Sequence, residues 1–185
     1  GKTFPYFDGG VSISRTARTY PTYLIFKPSM IFASILLIIY WLKTNRLINF
    51  YQNSQNKNNL FKIFGLLSAG FLIVHSMLLG IKFDYDLYKF FRRFVLLAFI
   101  IFEIVAQSLL VYSFFKLKTL ILNHINNYVL ILKIALVSIL VIVAIASIPI
   151  VVTSGNVHFK HALEWNYFVG VILFYLLTFL FWKKN

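Results

Sequence analysis

Five long apolar blocks alternate with short polar stretches along the 185-residue chain. Each block holds about 20 mainly apolar residues, the length that an α-helix needs to cross the hydrocarbon core of a bilayer. Lipid offers no partners to free backbone groups, so each block is predicted to be a helix rather than an open strand. The predicted helices cover residues 23–42, 61–81, 94–117, 128–152 and 163–182.

These elements predict an all-α integral membrane protein with a single domain, a bundle of five transmembrane helices. The N-terminal segment (residues 1–22) is predicted to be an extramembrane loop, because two adjacent glycines and two prolines mark turns in it. With five spans, this segment and the link at 153–161 fall on the same side. Single-cysteine labelling at Ser12 and Ser154 is therefore expected from one side only.

Composition supports a membrane location, since 60% of the residues are hydrophobic and only 12% are charged. Soluble domains average about 25% charged residues. The net charge of +13 comes from basic residues in the polar stretches and at helix ends, where lipid phosphate is the nearest anion. The predicted partners are membrane lipids, with other membrane subunits as further partners, and no nucleic acid. A bacterial inner membrane and a eukaryotic endomembrane both fit.

Basic residues divide evenly, nine to each side, if Lys133 is assigned to the side opposite the N-terminal segment. The excess of basic residues that normally marks the cytoplasmic side is therefore missing, and the orientation is not predicted. The chain has no cysteine, which excludes disulfides, thiolate nucleophiles and thiolate metal sites.

Three polar residues inside the predicted helices form a candidate intramembrane polar site. Glu103 and Gln107 are four residues apart and share one face of the third helix. A charged side chain at this depth costs about 2.5–3.5 kcal/mol on insertion scales, so Glu103 is expected to point into the bundle and reach another helix. A proton or substrate contact and an interhelical hydrogen-bonded pair both fit, and the pair is favoured. His75 is interpreted as a packed hydrogen-bonding residue rather than a haem ligand.

His158, His161 and Glu164 form the strongest metal-like pattern in the chain. Helical zinc proteases place two histidines four residues apart with the glutamate between them, whereas here the spacing is three and the glutamate lies outside. We therefore predict no catalytic metal and no cofactor, with the two histidines as weak metal candidates only. Glu164 and Trp165 are instead interpreted as the interfacial start of the last helix.

Two short motifs resemble a known family. They are Pro5-Tyr6-Phe7-Asp8 with Tyr20-Pro21 in the N-terminal segment, and Glu164-Trp165 before the last apolar stretch. Together they resemble the superfamily of damage-regulated autophagy modulators (DRAM) and Frag-type GPI-anchor remodelling factors. That family has six helices, with the Pro-Tyr loop after the first, so the resemblance implies a further helix upstream and a lumenal or extracytoplasmic loop.

The same resemblance implies a non-catalytic role with lipids: lipid or lipid-anchor handling, or trafficking. It makes Pro5, Tyr6, Asp8 and Pro21 candidate site residues together with the Glu164-Trp165 pair. That pair is a candidate contact for the loop at residues 5–8, which would then form a lid over a lipid-facing groove.

Two other classes of function remain open from the sequence. A structural or accessory subunit of a larger membrane complex needs only helix-packing faces, and every feature above permits it. A ceramidase-like membrane hydrolase needs a serine, an aspartate and three histidines around zinc. The chain has four histidines, but their spacing differs from that of the hydrolase family.

Overall fold

The computed structural model describes residues 4–17, 20–52, 59–79, 85–121, 123–152 and 155–183. In these residues every regular element is a helix. In chain order the helices are α1 Pro5–Asp8, α2 Ile13–Thr16, α3 Thr22–Gln52, α4 Leu60–Leu78, α5 Asp86–Lys116, α6 Lys118–Ile121, α7 Asn127–Val152 and α8 Val157–Phe181. Five of them, α3, α4, α5, α7 and α8, are long and apolar enough to span a membrane.

The five long helices pack in chain order, with α4 between α3 and α5, and α7 between α5 and α8. Backbone bonds join the start of α7 to the end of α8, because Asn126 N donates to Phe181 O at 2.8 Å and Lys183 N to His124 O at 2.9 Å. The short helices α1 and α2 pack on α8. The N-terminal segment therefore lies at one end of the bundle. The contact between the start of α7 and the end of α8 lies at the other end.

Helices α3 and α4 approach each other closely where Gly65 faces Trp41. Trp41 is fully buried in the main apolar cluster together with Phe61. A Cβ atom on Gly65 would lie 2.3 Å from the Trp41 ring, so the absence of a side chain there is what lets the indole lie against the α4 backbone. Small residues commonly serve this purpose where two helices approach closely.

Helix ends differ from the predicted bounds. The first long helix continues to Gln52 instead of ending at 42, because Thr44, Asn45 and Ile48 are buried and packing stabilises the extra turns. The third begins at Asp86 rather than 94. The last begins at Val157 rather than 163, so the predicted link at 153–161 is largely its first turns. Residues 80 and 81, the predicted end of the second helix, lie outside the described residues.

The N-terminal segment is not a plain loop, since it contains α1 and α2. The hydroxyl of Ser12 accepts a hydrogen bond from Arg15 N and caps α2, and the side chain is 7% exposed. Ser12 is therefore a poor labelling position, and Ser154 lies outside the described residues.

The position of Lys133 differs from the one expected from the sequence. It was assigned to the side opposite the N-terminal segment, yet its side chain is fully buried among α7 and α8. The even count of basic residues therefore loses one member, and Lys133 belongs to the interior chemistry of the bundle.

Candidate functional site

The central polar cluster consists of Ser68, Glu103, Gln107 and Tyr175. The Glu103 side chain is 0% exposed and accepts hydrogen bonds on both carboxyl oxygens. The Ser68 hydroxyl donates to Oε2, while the Gln107 amide, at 3.0 Å, and the Tyr175 hydroxyl donate to Oε1. Three helices therefore meet at one carboxyl group, which points into the bundle and reaches other helices as the sequence analysis expects.

The local sequence explains this placement. Glu103 and Gln107 are one turn apart on α5, so both side chains project from the same face. Ser68 lies on the buried face of α4 next to Ala69, where neither side chain is exposed. Because these neighbours are small, the hydroxyl of Ser68 reaches across to α5.

A second buried polar group, Lys133 with Thr178, joins α7 to α8. Lys133 Nζ donates to Thr178 Oγ1 at 2.6 Å and lies 4.0 Å from the centroid of the Phe174 ring. A desolvated cation over an aromatic face gains about 2 kcal/mol. No carboxylate among the described residues forms an ion pair with Lys133.

Tyr40 of α3 lies between the two polar groups. Its ring meets the Tyr175 ring edge-on, with the centroids 4.9 Å apart. Its hydroxyl faces Thr44 and Thr178, and among the described residues it has no direct hydrogen-bond partner. Tyr175 and Thr178 are three residues apart on α8, so they share a face. The hydroxyl groups of Tyr175, Tyr40 and Thr178 therefore form a row between Glu103 and Lys133, although no direct hydrogen bond joins Tyr40 to the other two.

A small cavity of about 40 Å³ lies on the other side of the central polar cluster, toward the N-terminal segment. Its walls are Ile13 of α2 and residues of α3, α4, α5 and α8; the polar ones are His75, Glu164 and Tyr167. Ile100, three residues before Glu103, also lines it. The cavity and the central polar cluster are therefore about one helical turn apart.

The N-terminal segment docks on the first turns of α8 through polar and aromatic contacts. Trp165 Nε1 donates to Val11 O at 2.8 Å, and the Trp165 ring meets the Tyr6 ring edge-on at 5.4 Å. Asn166 Nδ2 donates to Tyr6 O at 3.1 Å. His161 Nδ1 lies 3.0 Å from Gly9 O. The structure thus brings Tyr6 and Trp165, taken from the two family-like motifs, into direct contact.

Gly9 permits the closest approach in this docking. Its φ of +59° is a left-handed conformation that side chains disfavour, and it ends α1. A Cβ atom there would lie 1.7 Å from His158 O, so the two backbones touch at this point. The His158 backbone and the His161 ring therefore lie against the N-terminal segment, and the described residues hold no group of three His, Cys, Asp or Glu side chains able to bind a metal.

Asp8 and the two prolines take different places in this arrangement. Pro5 opens α1, where a missing amide donor costs little. Asp8 accepts from Phe4 N at 2.8 Å and from Gly10 N at 2.9 Å, and so holds the turn that carries Gly9. Pro21 instead lies exposed before α3, where its carbonyl accepts from Leu24 N. Glu164 lines the cavity beside His75.

Replacing Trp165 by phenylalanine is expected to loosen the N-terminal segment. Phenylalanine retains packing on Tyr6 but loses the bond to Val11 O, worth about 0.5–1.5 kcal/mol, so amide exchange in residues 4–17 should accelerate by a few-fold. Hydrogen–deuterium exchange with mass spectrometry measures this. The matched control is Trp182→Phe, at the other end of α8, which should leave these residues unchanged. Equal exchange in both variants and the wild type would contradict the docking.

The Asp8 turn should also depend on pH. Bonds from Gly10 N and Phe4 N lower the pKa of the Asp8 carboxyl below its ordinary value of 3.8. Because the folded pKa is the lower one, the carboxylate stabilises the turn fully above the ordinary value, and this contribution is lost as pH falls through the folded pKa. The amide shift of Gly10 by nuclear magnetic resonance should titrate only below about pH 4. Asp8→Asn should abolish the titration, and a midpoint above 3.8 would contradict the assignment.

Sequence reasoning identified Glu103, Gln107 and His75 but missed Lys133 and Tyr175. One signal for Lys133 was available, since it is the only charged residue of the 128–152 block and lies five residues after the start of that block. Tyr175 carries no such signal, because tyrosines are frequent throughout the chain and nothing in its spacing distinguishes it.

Comparison with protein-family models, curated proteins and solved structures gives no match to this chain. The resemblance to the DRAM and Frag-type superfamily therefore rests on the short motifs alone. The functional argument rests on the geometry of the central polar cluster, the cavity and the docked N-terminal segment.

Proposed function

We propose that this is an integral membrane protein with a non-catalytic, lipid-associated role. The N-terminal segment would act as a lid over a groove between α3 and α8. The DRAM and Frag-type resemblance supports the same class of function, namely lipid or lipid-anchor handling or trafficking. A bacterial inner membrane and a eukaryotic endomembrane both suit the five apolar helices.

The observation that carries the proposal is the cavity beneath α2. Its walls are mainly apolar, from residues such as Phe26, Met30 and Phe168, while His75 and Glu164 add polar groups. Apolar walls with a few polar groups match the amphipathic character of a lipid and are typical of small-molecule sites. At about 40 Å³ the cavity is too small for an acyl chain, so lipid entry requires α2 to move away.

The lateral route that we propose for lipid runs between α3 and α8. In their middle, the two helices meet through the Tyr40 and Tyr175 rings, 4.9 Å apart. On the side of the N-terminal segment, Phe26 of α3 and Phe168 of α8 line the cavity, and Ile13 contributes to its wall. Lipid would therefore enter between two helices, and the docking of Trp165 on Val11 would control access.

Membrane insertion is tested by accessibility labelling, since the chain has no native cysteine. Phe7 and Val157 are 90% and 55% exposed and belong to the end that carries the N-terminal segment. Tyr128, 80% exposed, starts α7 at the other end. In sealed vesicles, cysteines at Phe7 and Val157 should react with an impermeant reagent from one side, and a cysteine at Tyr128 from the other. Reaction of all three from one side would remove the topology.

Lipid in the groove is tested with a photo-crosslinking amino acid at Phe168. The matched control is Phe179 on the same helix, which is 79% exposed and does not line the cavity. Both positions should crosslink to lipid in native membranes. After extensive delipidation in detergent, only the Phe168 probe should retain a lipid crosslink by mass spectrometry. Loss of lipid at both positions would overturn the groove proposal.

The second candidate function is that of an accessory subunit, because no other part of the described chain packs against one face of α3. Only 6% of its most apolar 18 residues are buried, and a shallow open surface of α3 between Tyr23 and Ile35 has no other helix lining it among the described residues. A photo-crosslinker at Phe32, which is 62% exposed, tests this candidate in native membranes. A discrete protein adduct would support the accessory role, whereas lipid adducts alone would favour the lipid proposal.

A further inference from the structure

The bundle buries an acid and an amine that do not pair with each other. Glu103 and Lys133 are both 0% exposed, and each is bound by neutral side chains. Burying two separate charges is costly, and helix packing needs only neutral polar groups such as serine or glutamine. The neutral forms, a carboxylic acid and an amine, differ from the charged forms only by transfer of one proton between the two groups.

Three hydroxyl groups lie between the acid and the amine. Tyr175 donates to Glu103, and Thr178 accepts from Lys133 while its own hydroxyl donates to Phe174 O. The Tyr40 hydroxyl lies between them without a direct partner in the described part of the chain, so a proton crosses this point only after the Thr178 and Tyr40 hydroxyl groups turn toward each other. A hydroxyl both donates and accepts, so it passes a proton by releasing its own as it receives another. The row therefore contains the groups that proton transfer needs between α7 and the middle of the bundle.

The Lys133 end of this row lies close to one end of the bundle, and the Glu103 end lies close to the cavity beneath α2. Lys133 is six residues into α7, or about 9 Å along the helix at 1.5 Å per residue. It therefore lies near the contact between the start of α7 and the end of α8. On the other side, the cavity with His75 and Glu164 begins about one turn from Glu103. A cavity of about 40 Å³ exceeds the 10–15 Å³ that one water requires, and its polar groups supply partners for water.

We propose that the bundle carries a transmembrane proton path, with the Glu103 carboxyl as its central proton-binding site. After the Thr178 and Tyr40 hydroxyl groups turn toward each other, the Lys133 ammonium gives a proton to Thr178, and Thr178, Tyr40 and Tyr175 each break one O–H bond and form another. Glu103 receives the proton and becomes a neutral acid, and water in the cavity then carries it past His75 and Glu164. Charge balances at each step, and no oxidant or reductant takes part. This activity does not depend on the lipid proposal.

A proton-flux measurement on the full chain tests the path. The protein is reconstituted into phosphatidylcholine–phosphatidylglycerol liposomes that contain a pH-sensitive dye, and a potassium diffusion potential set with valinomycin drives protons inward. Wild-type protein should acidify the interior faster than protein-free liposomes do. Glu103→Gln, Lys133→Met and Tyr175→Phe should each reduce the flux to the protein-free rate. The matched control is Lys116→Met, an exposed lysine at the end of α5, which should retain wild-type flux.

Two of these variants separate proton transfer from structural support. Glutamine at 103 retains the volume and most of the hydrogen bonding of glutamate, and phenylalanine at 175 retains the ring that packs on Tyr40. Both should stay helical and monodisperse while losing flux. If Glu103→Gln fails to fold, Tyr175→Phe decides alone. Wild-type flux equal to that of protein-free liposomes, or full flux in a folded Glu103→Gln or Tyr175→Phe variant, would overturn the proposal.

Discussion

Replacing Gly65 by alanine is expected to destabilise the bundle by about 1–3 kcal/mol, even though alanine is the better helix former by about 1 kcal/mol. The added Cβ would lie 2.3–2.5 Å from three atoms of the Trp41 ring. The indole cannot retreat easily, because it is fully buried and also contacts Phe61 and Tyr40. Either α3 and α4 separate or the ring shifts, and both outcomes lose packing.

Gly70 on the same helix provides the matched control. A Cβ atom there would have no atom within 4 Å beyond the backbone of its own helix, so Gly70→Ala should be neutral or stabilising through helix propensity alone. Unfolding in mixed detergent micelles with increasing sodium dodecyl sulfate measures both variants. The double variant Gly65→Ala with Trp41→Phe should recover part of the loss, because a smaller ring relieves the contact. Equal stability of the two alanine variants would show that the α3–α4 seam is looser than the structure shows.

Replacing Glu103 by leucine is the second substitution with a large expected effect. It leaves the Ser68 hydroxyl, the Tyr175 hydroxyl and the Gln107 amide buried without their common acceptor. Each unsatisfied buried group costs about 1–3 kcal/mol, although such costs are not additive, so we expect a total loss of about 2–3 kcal/mol. Glu103→Gln should cost less, because its amide oxygen still accepts hydrogen bonds.

A compensating variant separates this mechanism from a simple loss of shape. Adding Ser68→Ala and Tyr175→Phe to Glu103→Leu removes two of the stranded hydroxyl groups, so stability should rise again toward the wild-type value. The same detergent titration measures the series. The mechanism is wrong if Glu103→Leu is as stable as the wild type, or if the triple variant is less stable than Glu103→Leu alone.

Parts of both sites follow from local sequence rules. Glu103 and Gln107 are four residues apart, and a carboxyl group in an apolar helix is costly, so their burial on one face follows without the tertiary structure. The docking of Trp165 near the N-terminal segment was likewise an expectation from the order of the five spans. The hydrogen bonds that achieve this docking were not predicted, because they go to the backbone atoms of Val11, Gly9 and Tyr6, which any residue supplies.

Other parts were beyond sequence rules because they depend on contacts between distant segments. Lys133 was counted with the basic residues on the side opposite the N-terminal segment, and a lysine near a helix end can indeed reach water along its flexible stem. Only the packing of α7 on α8 directs it to Thr178 and Phe174. In the same way, α3 continues to Gln52 through a polar stretch because Ile48 packs in the main apolar cluster.

The sequence by itself determined the number of long helices and the burial of Glu103 with Gln107, because apolar length and the cost of a buried carboxyl group are local properties of the chain. Only the tertiary structure decided which side chains complete the central polar cluster, where Lys133 lies, and that the N-terminal segment covers a cavity. Those outcomes require residues up to 160 positions apart, such as Tyr6 and Asn166, to meet. Periodicity reports which face of a helix is apolar, whereas the choice of partner depends on how all the helices pack together.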